Sequence, residues 1–110
     1  MISQVAKDAL RTVLGNDWYL DQPEDIATYS YDGFLPEFAP DAILVPETAE
    51  QIAQIMKIAN KDKINIIPRG AGTNICGSSV AREGGVIMAF HRMNKILEID
   101  KESMCAVVQP

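Results

Sequence analysis

The sequence has few of the residues that would indicate a metal site, a membrane span or a nucleic-acid surface. It contains one histidine, and its two cysteines, Cys76 and Cys105, do not form a CxxC pair, so a zinc site is not expected. No apolar run approaches the roughly 20 residues of a membrane helix, and the N-terminus lacks the features of a signal peptide. With 15 acidic and 10 basic residues the net charge is −5, which argues against nucleic acid as a partner. These absences favour a cytoplasmic protein with two unpaired thiols.

The composition is that of a globular protein with a single core. The chain has 110 residues, of which 47% are apolar and 23% are charged. It stops inside a strand-like apolar run, Val107-Val108-Gln109-Pro110. We therefore expect the sequence to be the N-terminal piece of a longer protein.

Small residues are concentrated in one stretch that lies between two apolar runs. Three of the seven glycines, Gly70, Gly72 and Gly77, fall between Ile64–Ile67 and Gly85–Phe90. Glycine accepts left-handed backbone angles and lets a ligand approach the main chain closely. Successive N–H groups in such a loop form a nest for an anion, typically phosphate. Our central hypothesis is that this loop holds a pyrophosphate.

The N-terminal part of the chain is expected to be helical. Apolar residues in Ile2–Leu14 follow helical spacing, and Gly15 supplies a C-terminal stop. Asp21 and Glu24 resemble the cap of a second, short helix that ends near Tyr29.

An irregular segment follows this helix and extends to Pro40. Two tyrosines and an aspartate at its start, Tyr29, Tyr31 and Asp32, have two interpretations: they line a ligand site, or they pack the segment onto the body of the domain, which is the interpretation that we favour. We therefore divide the chain into a helical and irregular segment, residues 1–40, and the first part of a ligand-binding domain, residues 41–110.

A strand, a helix and a second strand come next. Ala42–Val45 is a fully apolar run, as expected for a buried strand. Thr48 and Gln51 form a capping box that begins a helix running to about Asn60. Ile64–Ile67 is the second strand, so this region is a βαβ unit whose crossover should be right-handed. The glycine loop then lies at the carboxyl ends of the strands, where ligands of open α/β sheets bind.

Three further strands are predicted after the loop. They are Val86–Phe90, Ile96–Ile99 and Cys105–Val108, and the short turns between them predict antiparallel neighbours. The fold class is therefore α+β with an α/β-like centre: N-terminal helices, a βαβ unit and further short strands in a small mixed sheet.

Two well-known phosphate loops do not fit the glycine loop. Gly72 and Gly77 have P-loop spacing, but Ser78 stands where the lysine is required. Gly70 and Gly72 begin a Rossmann fingerprint, but Ile75 occupies the third glycine position and no long helix follows. On these grounds a ligand loop is only modestly favoured over a structural one.

The loop closely resembles the FAD pyrophosphate loop of the PCMH-type flavoproteins, the vanillyl-alcohol oxidase superfamily. The matching motif is Pro68-Arg69-Gly70-Ala71-Gly72-Thr73-Asn74, followed by Gly77-Ser78-Ser79. Ile43–Thr48 resembles the first strand of the family, and Gly85–Asp100 resembles its strand-turn-strand. Tyr31-Asp32-Gly33 is similar to the branch that contains the FAD-linked D subunits of glycolate oxidase and the D-lactate and D-2-hydroxyacid dehydrogenases. The likeness covers roughly Asp25 to Pro110.

The resemblance implies FAD contacts from residues of the loop and from the proline that ends the first strand. Arg69 is expected either to pair with a phosphate or to bond the structure around the loop. Some family branches bind flavin covalently through a histidine that aligns with Thr73, so the FAD is expected to be non-covalent. Relatives often have glycine at Asn74 and Ser78, and a positive φ would strain Ser78. The candidate set is Pro46, Arg69, Gly70, Ala71, Gly72, Thr73, Asn74, Gly77, Ser78 and Ser79.

The resemblance also implies a reaction. The intact protein would oxidise a 2-hydroxy acid such as glycolate or D-lactate by hydride transfer to the flavin, and an iron–sulfur subunit would accept the electrons. It would be cytoplasmic or peripheral to the membrane in a complex. The catalytic residues of this branch lie later in the chain, so none is assigned here and the 110 residues alone should be inactive. Two alternatives stay open: a small anion- or partner-binding α/β domain without redox activity, and a flavoenzyme of another substrate, such as the reductase of cell-wall precursor synthesis.

Overall fold

A computed structural model describes residues 1–33 and 37–110, in which a four-stranded sheet and a two-stranded hairpin are accompanied by helices. A short 3₁₀ helix, Asn16–Trp18, follows the first α-helix. The irregular segment predicted from Tyr29 to Pro40 includes residues 34–36, which lie outside the described residues. The remaining elements are α1 Gln4–Leu14, β1 Tyr19–Leu20, α2 Pro23–Tyr29, β2 Ala42–Leu44, α3 Ala49–Asp62, β3 Ile66–Arg69, β4 Val86–Ala89, β5 Ile96–Asp100 and β6 Cys105–Val108.

The four-stranded sheet is mixed and has the order β1-β2-β4-β3. β1 is antiparallel to β2, whereas β2 and β3 both run parallel to β4, with Leu44 opposite Met88 and Arg69 opposite Ala89. The carboxyl ends of three parallel strands therefore meet at one edge of the sheet. The predicted small mixed sheet and βαβ unit are confirmed, with β4 inserted between the two strands of that unit.

The prediction that β4 has antiparallel neighbours was wrong. The chain that joins β3 to β4 returns across the full length of the sheet, and it re-enters at the opposite edge through the positive-φ residues Gly84 and Gly85. There Val86 N donates to Asn65 O at 2.9 Å, and a Cβ on Gly85 would lie 2.5 Å from that oxygen. This return makes β4 parallel to β3. Antiparallel pairing is confirmed only for β5 and β6, which form a separate hairpin.

Both faces of the sheet are covered. Helices α1 and α3 pack on one face, where Leu10 and Ile55 contact Leu44 and Met88 in one buried cluster. On the other face Ile43, Val45 and Ile87 form a second cluster, onto which Ile26 and Tyr29 of α2 pack. Burial on both faces explains why β2 and β4 are continuously apolar. Residues 1–40 and 41–110 thus share one core, and the division at residue 40 stays a proposal.

The helix termini follow the predicted capping with one exception. Gln51 N donates to the Thr48 hydroxyl at 3.2 Å, while the Gln51 amide oxygen accepts from Glu47 N at 2.8 Å, so the capping box of α3 is confirmed one residue wider than expected. The predicted Asp21 cap was wrong. The second helix begins at Pro23 without a side-chain cap, and Asp21 instead pairs with Arg11 at 2.7 Å.

Two further differences concern short elements. The strand β1, which was not predicted, adds an antiparallel edge to the sheet. The helix α3 runs two residues beyond Asn60, and the strand after it begins at Ile66 and extends to Arg69. In the described part of the chain, no helix has the length and apolar character needed to cross a membrane.

Candidate functional site

The glycine loop lies at the edge of the sheet where β2, β3 and β4 all end. It leaves β3 at Arg69, beside the turns that begin at Val45 after β2 and at Phe90 after β4. Phe90 N donates to Arg69 O at 3.1 Å and so fixes the base of the loop to the end of the central strand. Because the parallel strands end together, these turns enclose the position at which ligands bind open α/β sheets.

Left-handed backbone within the loop is confined to two glycines. Gly72 has a φ of 71° and Gly77 a φ of 73°. Asn74 and Ser78 are not among the described residues with positive φ, so neither is strained by replacing glycine. A Cβ on Gly72 would collide with the guanidinium of Arg69, whereas a Cβ on Gly70 would meet nothing within 4 Å. Gly72 is therefore the position that requires glycine on both backbone and steric grounds.

The main chain of the loop offers hydrogen-bond donors on a largely exposed segment. Among the described residues, the N–H groups from Gly70 to Gly77 donate no hydrogen bond within the protein. Gly70, Ala71 and Thr73 are exposed, and Gly72 is half-buried. Consecutive unpaired N–H groups beside a left-handed glycine form the type of concavity that binds phosphate. The donor set present therefore fits the pyrophosphate that the loop was predicted to hold.

Arg69 lies beneath the loop and is buried, with 7% of its surface exposed. Its Nη1 donates to the carbonyl oxygens of Tyr31, at 2.7 Å, and of Ser79, at 3.3 Å. The guanidinium also lies 5.4 Å from the centre of the Tyr29 ring, whose pKa is raised by burial against the opposing charge of Arg69. These contacts favour the structural one of the two roles left open for Arg69.

Asp32 connects the segment before β2 to the loop. Only 4% of Asp32 is exposed, and its Oδ2 accepts hydrogen bonds from Asn74 Nδ2 at 2.7 Å and Ser79 Oγ at 3.4 Å. Gly33 N donates to Asn74 O at 2.9 Å, and a Cβ on Gly33 would lie 2.9 Å from the same oxygen. The packing role that we favoured for Asp32 is therefore observed, while Tyr31 stays 48% exposed.

The outer rim of the loop is polar and includes one thiol. Cys76 is exposed, and its Sγ lies 3.4 Å from Ser78 Oγ and 3.8 Å from Asn74 Nδ2. Hydrogen bonds from the hydroxyl and N–H of Ser78, and then from Asn74, lower the pKa of this thiol. Both Cys76 and Cys105 are free and exposed, and Cys105 is the first residue of β6.

Three of the candidate residues face inward. Pro46 follows β2 and has less than 2% of its side chain exposed, and Ser79 is 5% exposed, with its hydroxyl donating to Asn74 Oδ1 at 2.7 Å. With Arg69 they support the loop from behind. The residues that the structure places at its accessible surface are Gly70, Ala71, Gly72, Thr73, Asn74, Gly77 and Ser78.

Arg92 is a structural residue of this edge that sequence reasoning missed. Its guanidinium lies 3.8 Å from the centre of the Trp18 ring, donates to Val45 O at 3.2 Å and pairs with Glu47 at 2.7 Å. Arg92 therefore ties the turn after β4 to the turn after β2. Nothing in its local sequence predicted these partners, because they lie at least 45 positions away along the chain.

A cleft of about 360 Å³ adjoins the start of the loop. Gly70 and Ala71 form one wall, and Phe90, Met93 and Ile96 contribute apolar surface. The single histidine, His91, also lines the cleft and is exposed. The loop thus offers donors for an anion directly beside a partly apolar cleft.

The chain is similar in sequence and in structure to known flavoproteins and to an FAD-binding family. A family profile described as "FAD binding domain" matches residues 40–110. The glycolate oxidase subunit GlcD of Bacillus subtilis (strain 168) is 39% identical over all of this chain, which spans 24% of that protein. The D-2-hydroxyglutarate dehydrogenase of Stutzerimonas stutzeri (strain A1501) is 34% identical over 94% of this chain, which spans 22% of it. The solved structure of p-cresol methylhydroxylase with substrate bound is similar to this chain with a TM-score of 0.84 and 31% identity. The similarity covers 99% of this chain and 23% of the p-cresol methylhydroxylase chain.

Proposed function

The chain belongs to the family of PCMH-type FAD binding domains, and from that membership we propose that its glycine loop holds the pyrophosphate of FAD. The observation that supports the proposal is that, among the described residues, the N–H groups from Gly70 to Gly77 donate no hydrogen bond within the protein. The main chains of Gly70 to Asn74, continued by Gly77 and Ser78, would donate to the phosphate oxygens. Pro46, Arg69 and Ser79 would support them from behind, because their polar or apolar groups are already buried against the protein.

The proposal extends to the reaction of the complete gene product. Bound FAD supplies a two-electron acceptor. Similarity to GlcD and to the D-2-hydroxyglutarate dehydrogenase supports an oxidoreductase that acts on a 2-hydroxy acid. We propose glycolate or D-lactate as its substrate and an iron–sulfur subunit as its electron acceptor. Because the chain spans about a quarter of the curated relatives that it matches, groups that bind the substrate and move its protons are proposed to lie outside these 110 residues. The role of the chain itself is to bind and orient the cofactor.

Substitution of Gly72 tests the pyrophosphate site. A Cβ at Gly72 would collide with Arg69, and the φ of 71° strains any β-branched side chain, so Gly72→Val should abolish FAD retention in the complete gene product. Gly84→Val is the matched control, because Gly84 has a similar φ of 76° and open space around it but lies at the opposite edge of the sheet. The control should lower stability and keep the flavin. A yellow Gly72→Val protein with normal FAD content would refute the loop assignment.

Flavin spectroscopy tests the attachment and the substrate. Thr73 is not a covalent flavin-bonding residue, so acid or heat should release all of the FAD into the supernatant. Flavin that stays on the denatured chain would contradict non-covalent binding. Anaerobic addition of glycolate or D-lactate should bleach the flavin absorbance. If glycolate and D-lactate both leave the flavin absorbance unchanged while a reduced nicotinamide bleaches it, the proposed oxidation is refuted and the protein is a reductase.

A further inference from the structure

We propose that Asp32 is a positioning residue of the FAD site, which holds the pyrophosphate loop in its binding shape through Asn74. The inference rests on the proposed function and names a determinant of cofactor affinity that lies outside the glycine motif. Asp32 is separated from Asn74 by 42 positions, yet Oδ2 of Asp32 lies 2.7 Å from Asn74 Nδ2. No part of this contact is local in sequence.

Every polar group of the Asn74 side chain is engaged. Its Nδ2 donates to Asp32 and to Ser78 Oγ at 3.2 Å, while its Oδ1 accepts from Ser79 Oγ at 2.7 Å. Its main-chain oxygen accepts from Gly33 N at 2.9 Å. Asn74 is therefore held from both its side chain and its main chain. Since Ser78 and Ser79 begin the second half of the loop, Asn74 also joins the two halves.

Burial of the Asp32 carboxylate favours the observed position of the loop. Asp32 is 4% exposed, and a buried carboxylate without hydrogen-bond donors is strongly unfavourable. Asn74 donates to Asp32 across 2.7 Å, and it can do so only while the loop lies in the observed position. Arg69 holds the two flanking residues, because its Nη1 donates to the carbonyl oxygens of Tyr31 and Ser79. The loop is therefore ordered before FAD arrives, which lowers the entropic cost of binding.

The same contacts explain why this chain has asparagine at position 74. Asn74 does not have positive φ, so its backbone does not require glycine. Glycine at this position would remove the 2.7 Å hydrogen bond from the side chain to Asp32. The side chain of Asn74 is thus matched to Asp32, and the pair can be tested by exchanging its two members.

The test compares four forms of the complete gene product: wild type, Asp32→Asn, Asn74→Asp, and both changes together. FAD affinity of each apo-protein is measured by flavin fluorescence, and apo stability by circular dichroism. Asp32→Asn should weaken FAD binding by about 3- to 10-fold, because a charge-assisted hydrogen bond becomes neutral. Asn74→Asp should weaken it by about 100-fold, because two carboxylates then face each other beside a bound anion. Adding Asp32→Asn to Asn74→Asp restores an amide facing a carboxylate and should recover about tenfold.

The sign reversal is the decisive result, because Asp32→Asn should harm the wild type and help Asn74→Asp. Asp25→Asn is the matched control and should leave FAD affinity unchanged, because Asp25 lies in the first turn of α2 and has no hydrogen bond to the loop within the described part of the chain. Additive effects of the two changes, or an unchanged affinity in Asp32→Asn, would overturn the inference while leaving the proposed function intact. A wild type that takes up no FAD would overturn the proposed function and this inference with it.

A second variant keeps the inference testable if Asp32→Asn does not fold. Asn74→Ala removes the partner from a half-buried loop position and leaves Asp32 in place. It should weaken FAD binding about tenfold while the apo melting temperature changes by less than about 4 °C, since the core is untouched. Wild-type FAD affinity in a folded Asn74→Ala protein would overturn the inference.

Discussion

Individual residues of the loop can test the proposed FAD site, and the exposed Cys76 is one of them. Its thiol is exposed and its pKa is lowered by Ser78, so the reactive thiolate is more abundant than in an isolated cysteine. FAD bound to the loop should slow alkylation of Cys76 by iodoacetamide about tenfold or more by covering it. Cys105 is the internal control, because it is also exposed but lies on the hairpin. Equal protection of both thiols, or of neither, would contradict the proposed site.

The buried hydroxyl of Tyr19 lowers the stability of the fold, and deleting its oxygen should raise it. It is 3% exposed, and its hydroxyl has no hydrogen-bond partner in the part of the chain that the structure describes. Leaving such a group unpaired costs about 1–3 kcal/mol, so Tyr19→Phe should raise the free energy of unfolding by about 1 kcal/mol at neutral pH. The ring would still lie beneath Arg11, 4.6 Å from its centre. Chemical denaturation measures the change, with Tyr31→Phe, at an exposed position, as the control.

The pH dependence of the same variant provides an independent check. Burial, and then the charge of Asp21, raise the pKa of Tyr19 above its usual value of 10.0. The folded protein therefore favours the neutral phenol. Its contribution to stability is complete below pH 10 and is lost as the pH rises through the folded-state pKa. Tyr19→Phe should lose less stability above pH 10 than the wild type. A Tyr19→Phe protein that is less stable at neutral pH would show that the hydroxyl has a partner.

Elements determined by local chemistry were the ones that the sequence predicted well. Helical spacing up to Leu14 and the capping box of Thr48 and Gln51 both act within a few residues, and both are present in the structure. The Asp21 cap failed because Arg11, from another element, takes up its carboxylate. The prediction of antiparallel neighbours for β4 was wrong for a related reason. A short turn predicts antiparallel strands only when the strands pair with each other, and the partners of β4 are more distant in sequence.

In the candidate site, too, the features set by local sequence were predicted and those set by distant contacts were not. The requirement for glycine at position 72 follows from its positive φ and from the nearby Arg69 side chain, which lies three positions away in sequence. The support of the loop does not follow from the motif. Asp32 reaches Asn74 across 42 positions, and Arg69 reaches Tyr31 across 38. A single sequence gives no signal for such pairs, because either residue alone is compatible with a solvated surface.

At the scale of the whole molecule, the hairpin of β5 and β6 stands apart from the rest of the fold. The radius of gyration is 15.0 Å, against about 13 Å for a compact domain of this length. Apolar side chains on the hairpin are exposed: Ile96 and Ile99 are each 66% exposed, and Val108 is 56% exposed. A two-stranded hairpin without a covering layer is only marginally stable in water. The four-stranded sheet, in contrast, is buried on both faces.

Hydrogen exchange should therefore divide the 110-residue chain into two parts. Amides of Val86–Ala89 should exchange only through global unfolding, whereas those of Ile96–Asp100 and Cys105–Val108 should exchange through local opening, at least about 100-fold faster. The comparison is internal, because all three segments are strands of one sample. If the gene encodes a longer protein whose remaining chain covers the hairpin, protection of these amides should rise in the complete product while that of β4 stays high. Hairpin amides as protected as those of β4 in a monomeric 110-residue chain would show that the hairpin is stable without a covering layer.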